Sequence, residues 1–115
     1  MTLEELRSQI DVLDRQLVEL LSERARAAQM IGHLKAATSL PVYEPAREKV
    51  IYANVRAANK GPLPDIELTH IYERIIDVMR ALQRNELASE RNARAAASGH
   101  GAGPESAATE IGNRP

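Results

Sequence analysis

Two cations and an amide stand where a helical chain would otherwise place apolar side chains. Arg24 falls on a heptad row whose other members are Leu3, Ile10, Leu17 and Ile31. A guanidinium buried there without a partner is very costly, so an anion must meet it. A buried carboxylate of the chain or a contact that fixes helix register would answer that need; a bound anion would answer it equally. Lys35 follows eleven residues later, which at ~100° per residue brings it back to the same face, ~16.5 Å along the axis. Alone, a lysine at a helix end is more often merely solvated. Beside Arg24 it points to a small dianion held between the two. Gln83 comes four residues after Met79 and seven after Ile76, on the edge of an apolar stripe. Its amide can donate to an acceptor inside a bundle or bond a neighbouring helix. Arg47 and Glu48 stand in the first turn of a helix, where a glutamate often only complements the helix dipole. Arg7 lies ~25 Å from Arg24 along the same rod. It cannot touch the same small ligand within one chain, but an antiparallel partner could bring it there.

What is missing narrows the chemistry. The chain has no cysteine, so thiolate catalysis, disulfides and Cys-based zinc sites are excluded. His33, His70 and His100 show no metal-ligand spacing, and surface or boundary roles are expected of them. No Ser-His-Asp arrangement, glycine-rich phosphate loop or pair of catalytic carboxylates emerges. The set consists of donors and cations without a nucleophile, and neither metal nor cofactor is expected.

The elements that must position these residues are helices. Thr2-Leu3-Glu4-Glu5 has the form of a capping box. From it a heptad pattern runs through Leu3, Ile10, Leu17 and Ile31 on one row and Leu6, Leu13, Leu20, Ala27 and Leu34 on the other. This predicts one helix from about residue 2 to about residue 37, with Gly32 tolerated inside it at a cost of about 1 kcal/mol. A rod of ~54 Å cannot be covered by the rest of so short a chain, so its stripe predicts a symmetric dimer. Thr38 to Glu44 form a connection. Pro45 then opens a second helix at N1 with Glu44 at its positive end, and Ile51, Val55 and Ala58 supply its apolar face. Asn59-Lys60-Gly61-Pro62 reads as a stop. A third helix is expected from an N-cap at Asp65, with Leu68, Ile71, Tyr72, Ile75, Met79 and Leu82 as its stripe. The prediction is therefore an all-α fold: three helices per chain, the first very long, intertwined in a homodimer. Residues 1–90 form the domain. Residues 91–115 are read as a disordered tail too poor in apolar residues to order itself, although Arg91 to Ala97 could extend the third helix.

Of the 115 residues, 43% are hydrophobic, with no Phe or Trp and three Tyr, so the core must be aliphatic. A net charge of −1 gives no overall pull towards nucleic acid or membrane. No signal peptide and no apolar run of the ~20 residues needed to span a bilayer is present. A cytoplasmic protein is expected.

The same residues resemble the all-helical class of chorismate mutases. Leu6-Arg7-Ser8-Gln9-Ile10-Asp11-Val12-Leu13-Asp14 resembles that family's opening L-R-x-x-I-D-x-L-D. Leu20-Leu21-Ser22-Glu23-Arg24 is similar to its L-L-x-E-R, and Ile31-Gly32-His33-Leu34-Lys35 to its I-G-x-x-K. Pro41 to Glu48 resembles its loop segment P-V-x-D/E-x-x-R-E, and Ile71 to Gln83 its closing helix. The likeness covers about residues 3–87 in order and spacing. Each piece is weak alone; the five together are quite specific.

The resemblance implies a pericyclic rearrangement of chorismate to prephenate in the shikimate pathway, for Phe and Tyr biosynthesis, without a cofactor. It implies that Arg24, with Arg7 from the partner chain, holds the two substrate carboxylates. Lys35 would contact a carboxylate and the ether oxygen, and Gln83 that same oxygen. Glu48 would take the ring hydroxyl, Arg47 and the backbone near Glu44 would assist, and Ile31 would pack the ring. Met79, also placed among the substrate contacts, stands where some relatives carry a small polar residue, and Glu44 replaces a commoner Asp. Two other readings stay open here: an isochorismate pyruvate lyase sharing the pocket, and a non-catalytic helical module that binds and regulates a shikimate-pathway enzyme.

Overall fold

The computed structural model describes residues 1–97 and consists of three helices: α1 (Leu3–Ala36), α2 (Pro45–Ala58) and α3 (Asp65–Ala97). The expected all-helical class is observed. α1 begins at the reciprocal box read from its sequence. The Glu5 N–H donates to Thr2 Oγ1 at 3.1 Å, and the Thr2 N–H donates to Glu5 Oε1 at 2.7 Å. The bond from the Thr2 backbone, and secondarily from its hydroxyl, holds the Glu5 carboxyl below its ordinary value. A depressed value means that this stabilisation is present above the ordinary carboxylate pKa and is lost as pH falls through the folded one. Thr2→Ala removes the cap and is expected to lower stability by about 1 kcal/mol, read as a lower urea midpoint at unchanged m-value.

Pro45 opens α2 at N1, but Glu44 before it makes no side-chain cap bond. Its carboxylate is engaged elsewhere, as described below. Asn59 organises the connection to α3. Its Nδ2 donates to Leu63 O and to Asp65 Oδ1, each at 2.7 Å, and its Oδ1 accepts from the Gly61 N–H at 3.0 Å. Gly61 sits at φ +72°, which a residue without Cβ adopts freely. Asp65, expected as the N-cap, is instead the first helical residue, since the Leu68 N–H bonds Pro64 O at 3.0 Å. Its carboxylate is taken by Asn59.

α3 continues through Arg91 to Ala97, the stretch that allowed an extension. The remainder of the expected tail lies outside the described residues. α1 and α3 pack together and run in the same direction, because Arg24 lies by Tyr72, Gly32 by Gln83 and His33 by Glu90. α2 packs on α3. The molecule measures 65 × 33 × 17 Å, so in its thinnest direction it is less than two helix diameters of ~10–12 Å deep. The buried apolar set is correspondingly small: Ala28, Ala36, Ile76 and Met79. The first turns of α1 stand clear of the other helices. The heptad stripe read from the sequence is present but uncovered by its own chain, Leu13 being 51% exposed and Leu3, Ile10, Leu17 and Leu20 similarly open. Among the described residues no helix is long and apolar enough to cross a membrane.

Candidate active site

The site is built where the last turns of α1 pass α3. The two backbones approach closely at Gly32, where a Cβ would lie 2.9 Å from both Cα and O of Gln83. Three residues further along, Lys35 is drawn against the same turn of α3. It is 4% exposed. Its Nζ donates to Gln83 Oε1 at 2.9 Å and to Val42 O at 3.1 Å, and pairs with Glu44 Oε1 at 2.7 Å. These three partners use all the hydrogens of the ammonium and offset the penalty of burying its charge. An ammonium accepts nothing, so the oxygen of Gln83 must face it, and the Nε2 hydrogens remain as donors.

Arg24 is half-buried on the same face of α1, its guanidinium 6.0 Å from the centre of the Tyr72 ring. Among the described residues no carboxylate pairs with it. The anion that its position calls for is not one of these side chains. Arg24 and Lys35 border a pocket with Val42 and Glu44 of the connection, Arg47, Glu48 and Ile51 of α2, and Ile76, Met79, Arg80 and Gln83 of α3. Four of these residues are cations and two are carboxylates, so the lining carries two positive charges in excess. That balance suits a dianion.

Seven residues singled out from the sequence therefore meet: Arg24, Lys35, Glu44, Arg47, Glu48, Met79 and Gln83. Two do not join them within the chain. Arg7 lies on the far part of α1, paired with its neighbour Glu4 at 3.4 Å. Ile31 is 43% exposed and outside the lining, whose apolar wall is made by Ile51, Ile76 and Met79.

Arg80 was not anticipated. Its Nε lies 3.0 Å from Glu48 Oε2 and its Nη2 2.9 Å from Asp77 Oδ1, with the guanidinium 5.3 Å from the centre of the Tyr43 ring. A signal existed, since Arg80 follows Ile76 by four residues and so falls on the buried stripe of α3. On α2, burial and then the Glu73 and Glu48 carboxylates push the Tyr52 phenol above its ordinary value.

The histidines have local partners. His70 pairs with Glu67 at 3.6 Å, and His33 Nδ1 with Glu90 Oε1. His33 also comes together with Glu86 and Glu90, their ligand-type atoms within 4.8 Å of one another. That grouping could accept a divalent cation; Glu86 and Glu90 share a face of α3 at i, i+4 spacing, and helix packing brings His33 of α1 to them. His100 lies outside the described residues.

Among the described residues the fold is all-helical, and its pocket gathers four cations, two carboxylates and an amide with an excess of positive charge. Residues 6–84 match the family described as chorismate mutase type II, and the chain belongs to that family. It is 38% identical over 86 residues to the bifunctional chorismate mutase/prephenate dehydratase of Aquifex aeolicus, covering 71% of this chain and 24% of that protein. It is 31% identical over 91 residues to the chorismate mutase of Methanocaldococcus jannaschii, covering 78% of this chain and 92% of that one. The chain thus spans about a quarter of the length of the bifunctional relatives. Among solved structures, form II of the chorismate mutase from Thermus thermophilus matches with a TM-score of 0.69 at 36% identity, over 70% of this chain and 92% of that one.

Proposed function

We propose that the helical domain of residues 1–90 converts chorismate to prephenate by electrostatic preorganisation. The observation that carries this reading is the buried Lys35 ammonium, held against Gln83 in a pocket lined with two excess positive charges. In the rearrangement one C–O bond breaks as one C–C bond forms, so no proton, nucleophile or co-reactant is required. Two things are required instead. The extended substrate must be held in a compact near-attack shape, and donors must face the ether oxygen, where negative charge develops.

Lys35 and the Gln83 amide supply those donors. A substrate oxygen would take the ammonium hydrogen now given to Glu44, whose half-exposed side chain can turn to solvent. Arg24 meets a carboxylate with Arg47 assisting, Glu48 accepts from the ring hydroxyl, and Met79 with Ile51 and Ile76 shapes the apolar wall. The direct test is the fall of chorismate absorbance with purified protein. Loss of substrate in a first-order process with prephenate as product supports the reading; an unchanged trace refutes it.

We infer further that the site is completed in a homodimer by Arg7 of a second copy. The uncovered stripe on α1 supports this, as does the distance of Arg7 from its own pocket. Arg7→Ala and Lys35→Ala are each expected to lose activity by about 10²-fold or more, yet their equimolar mixture should recover about a quarter of wild-type activity. Half of the dimers are then mixed, and one of the two sites in each is intact. No recovery after confirmed subunit exchange would contradict a shared site.

A further inference from the structure

Arg80 belongs to none of the roles above, yet it is a polar tie between α3, α2 and the connection, three of the four parts of the pocket wall. From α3 it reaches Glu48 of α2, its own neighbour Asp77, and the ring of Tyr43 in the connection. Because α2 packs on α3, this contact sets where the α2 carboxylate stands relative to Gln83. One detail defines how. The Arg80 Nε is buried and lies 3.0 Å from Glu48 Oε2, but its N–H makes no aligned hydrogen bond. The pair is an ion pair at short range, and a carboxylate so paired can still accept from a further donor. An ionised carboxylate has about four such acceptor sites.

We propose that Arg80 is a positioning residue that aims Glu48 at the substrate's ring hydroxyl, so that the Tyr43–Arg80–Glu48 couple sets specificity for a hydroxyl-bearing ring. This rests on the mutase reading. Asp77 holds the guanidinium from one side, and the Tyr43 face covers it, a cation–π contact that also draws the connection onto α3. Glu48 is then fixed in place before substrate arrives.

The test is a kinetic series with chorismate and with its ring-O-methyl ether, which can rearrange but cannot donate from that oxygen. Arg80→Gln is expected to lower kcat/KM for chorismate about tenfold, the scale of one charge-assisted hydrogen bond, while changing the ether little. Glu48→Gln should do the same, and Arg80→Gln/Glu48→Gln should lose no more than Glu48→Gln alone. Arg80→Lys, which keeps the charge without the flat face, should recover part of the discrimination and serves if Arg80→Gln does not fold. Equal losses on both substrates, or multiplying losses in the double variant, would overturn the inference, since Arg80 would then act on the carboxylates or on stability alone. The wild-type rate in the same series separates the two claims. No turnover of chorismate removes the mutase reading and this inference together, whereas turnover with an unaltered Arg80→Gln removes only the latter.

Discussion

Lys35→Ala is expected to lower the rate of chorismate conversion by about 10²–10³-fold, the loss seen when one preorganised donor to a developing oxyanion is removed. The effect should fall on kcat as well as KM. Lys35 contributes a donor whose value rises as charge builds on the ether oxygen, so its contribution is larger in the transition state than in the bound ground state. The surroundings amplify it. At 4% exposure the ammonium works in a medium that screens poorly, where a fixed charge is worth more than in water. The same substitution leaves Gln83 Oε1 and Val42 O without their donor, so some stability is lost as well. Lys35→Met separates lost packing from lost electrostatics, because it keeps much of the side-chain volume while removing the charge and its donors. A rate loss as large as that of alanine, with a smaller drop in urea midpoint, is the expected result. Lys35→Arg should not rescue, since a planar guanidinium cannot take the place of a compact ammonium in contact with three acceptors. A Lys35→Ala variant that turns over at the wild-type rate would remove the proposed site.

Gly32→Val should be the most damaging substitution outside the polar lining. In an ordinary helix interior, replacing glycine by a residue with a side chain is favourable, and alanine gains about 1 kcal/mol. Here the added Cβ would lie 2.9 Å from backbone atoms of Gln83 and 3.0 Å from Glu86 Cβ. Backbone cannot rotate out of the way, so the helices must separate. Overpacking of this kind costs about 1–3 kcal/mol, and the two valine methyls place it at the upper end. Separation also withdraws Gln83 from Lys35, and a misplacement of ~1 Å at a preorganised site can cost ~10²-fold in rate. Urea titration and steady-state kinetics on the same sample should therefore show both losses. Gly32→Ala should show them in weaker form, the rate falling even where the helix propensity gain masks part of the stability loss. An increase in urea midpoint with full activity would mean that the helix pair yields freely at this point.

Gly32 shows how far the chain can be read without its fold. From sequence it is a small local cost in a long helix. In the structure it is a point of close backbone approach beside Gln83, three residues before Lys35. Arg24 and Lys35 were legible because a cation on an apolar heptad row contradicts its neighbours, and eleven residues return to the same helix face. Glu44 was legible as a residue at the positive end of α2, but not as the counter-charge of Lys35, because that pairing depends on the path of the connection. Arg80 was hidden among the many charged residues of α3, where position on the stripe is a weak signal without knowledge of what α2 presents to it.

The residues alone marked the start of α1, the start of α2 and its stop, since the Thr2–Glu5 box, Pro45 at N1 and the Asn59–Pro62 stop each act within a few positions, whereas α3 starts at Asp65 itself and runs on to Ala97. They also determined that one long apolar stripe carries misplaced cations, which is a matter of period. Tertiary structure decided the parallel register of α1 on α3 and the burial of Lys35. It also decided which carboxylate answers which cation: Glu44 for Lys35, Glu48 for Arg80. Those pairings join separate helices and a connecting segment, and their geometry follows from how closely two backbones can approach. That distance is set by the packed pair and by neither helix alone.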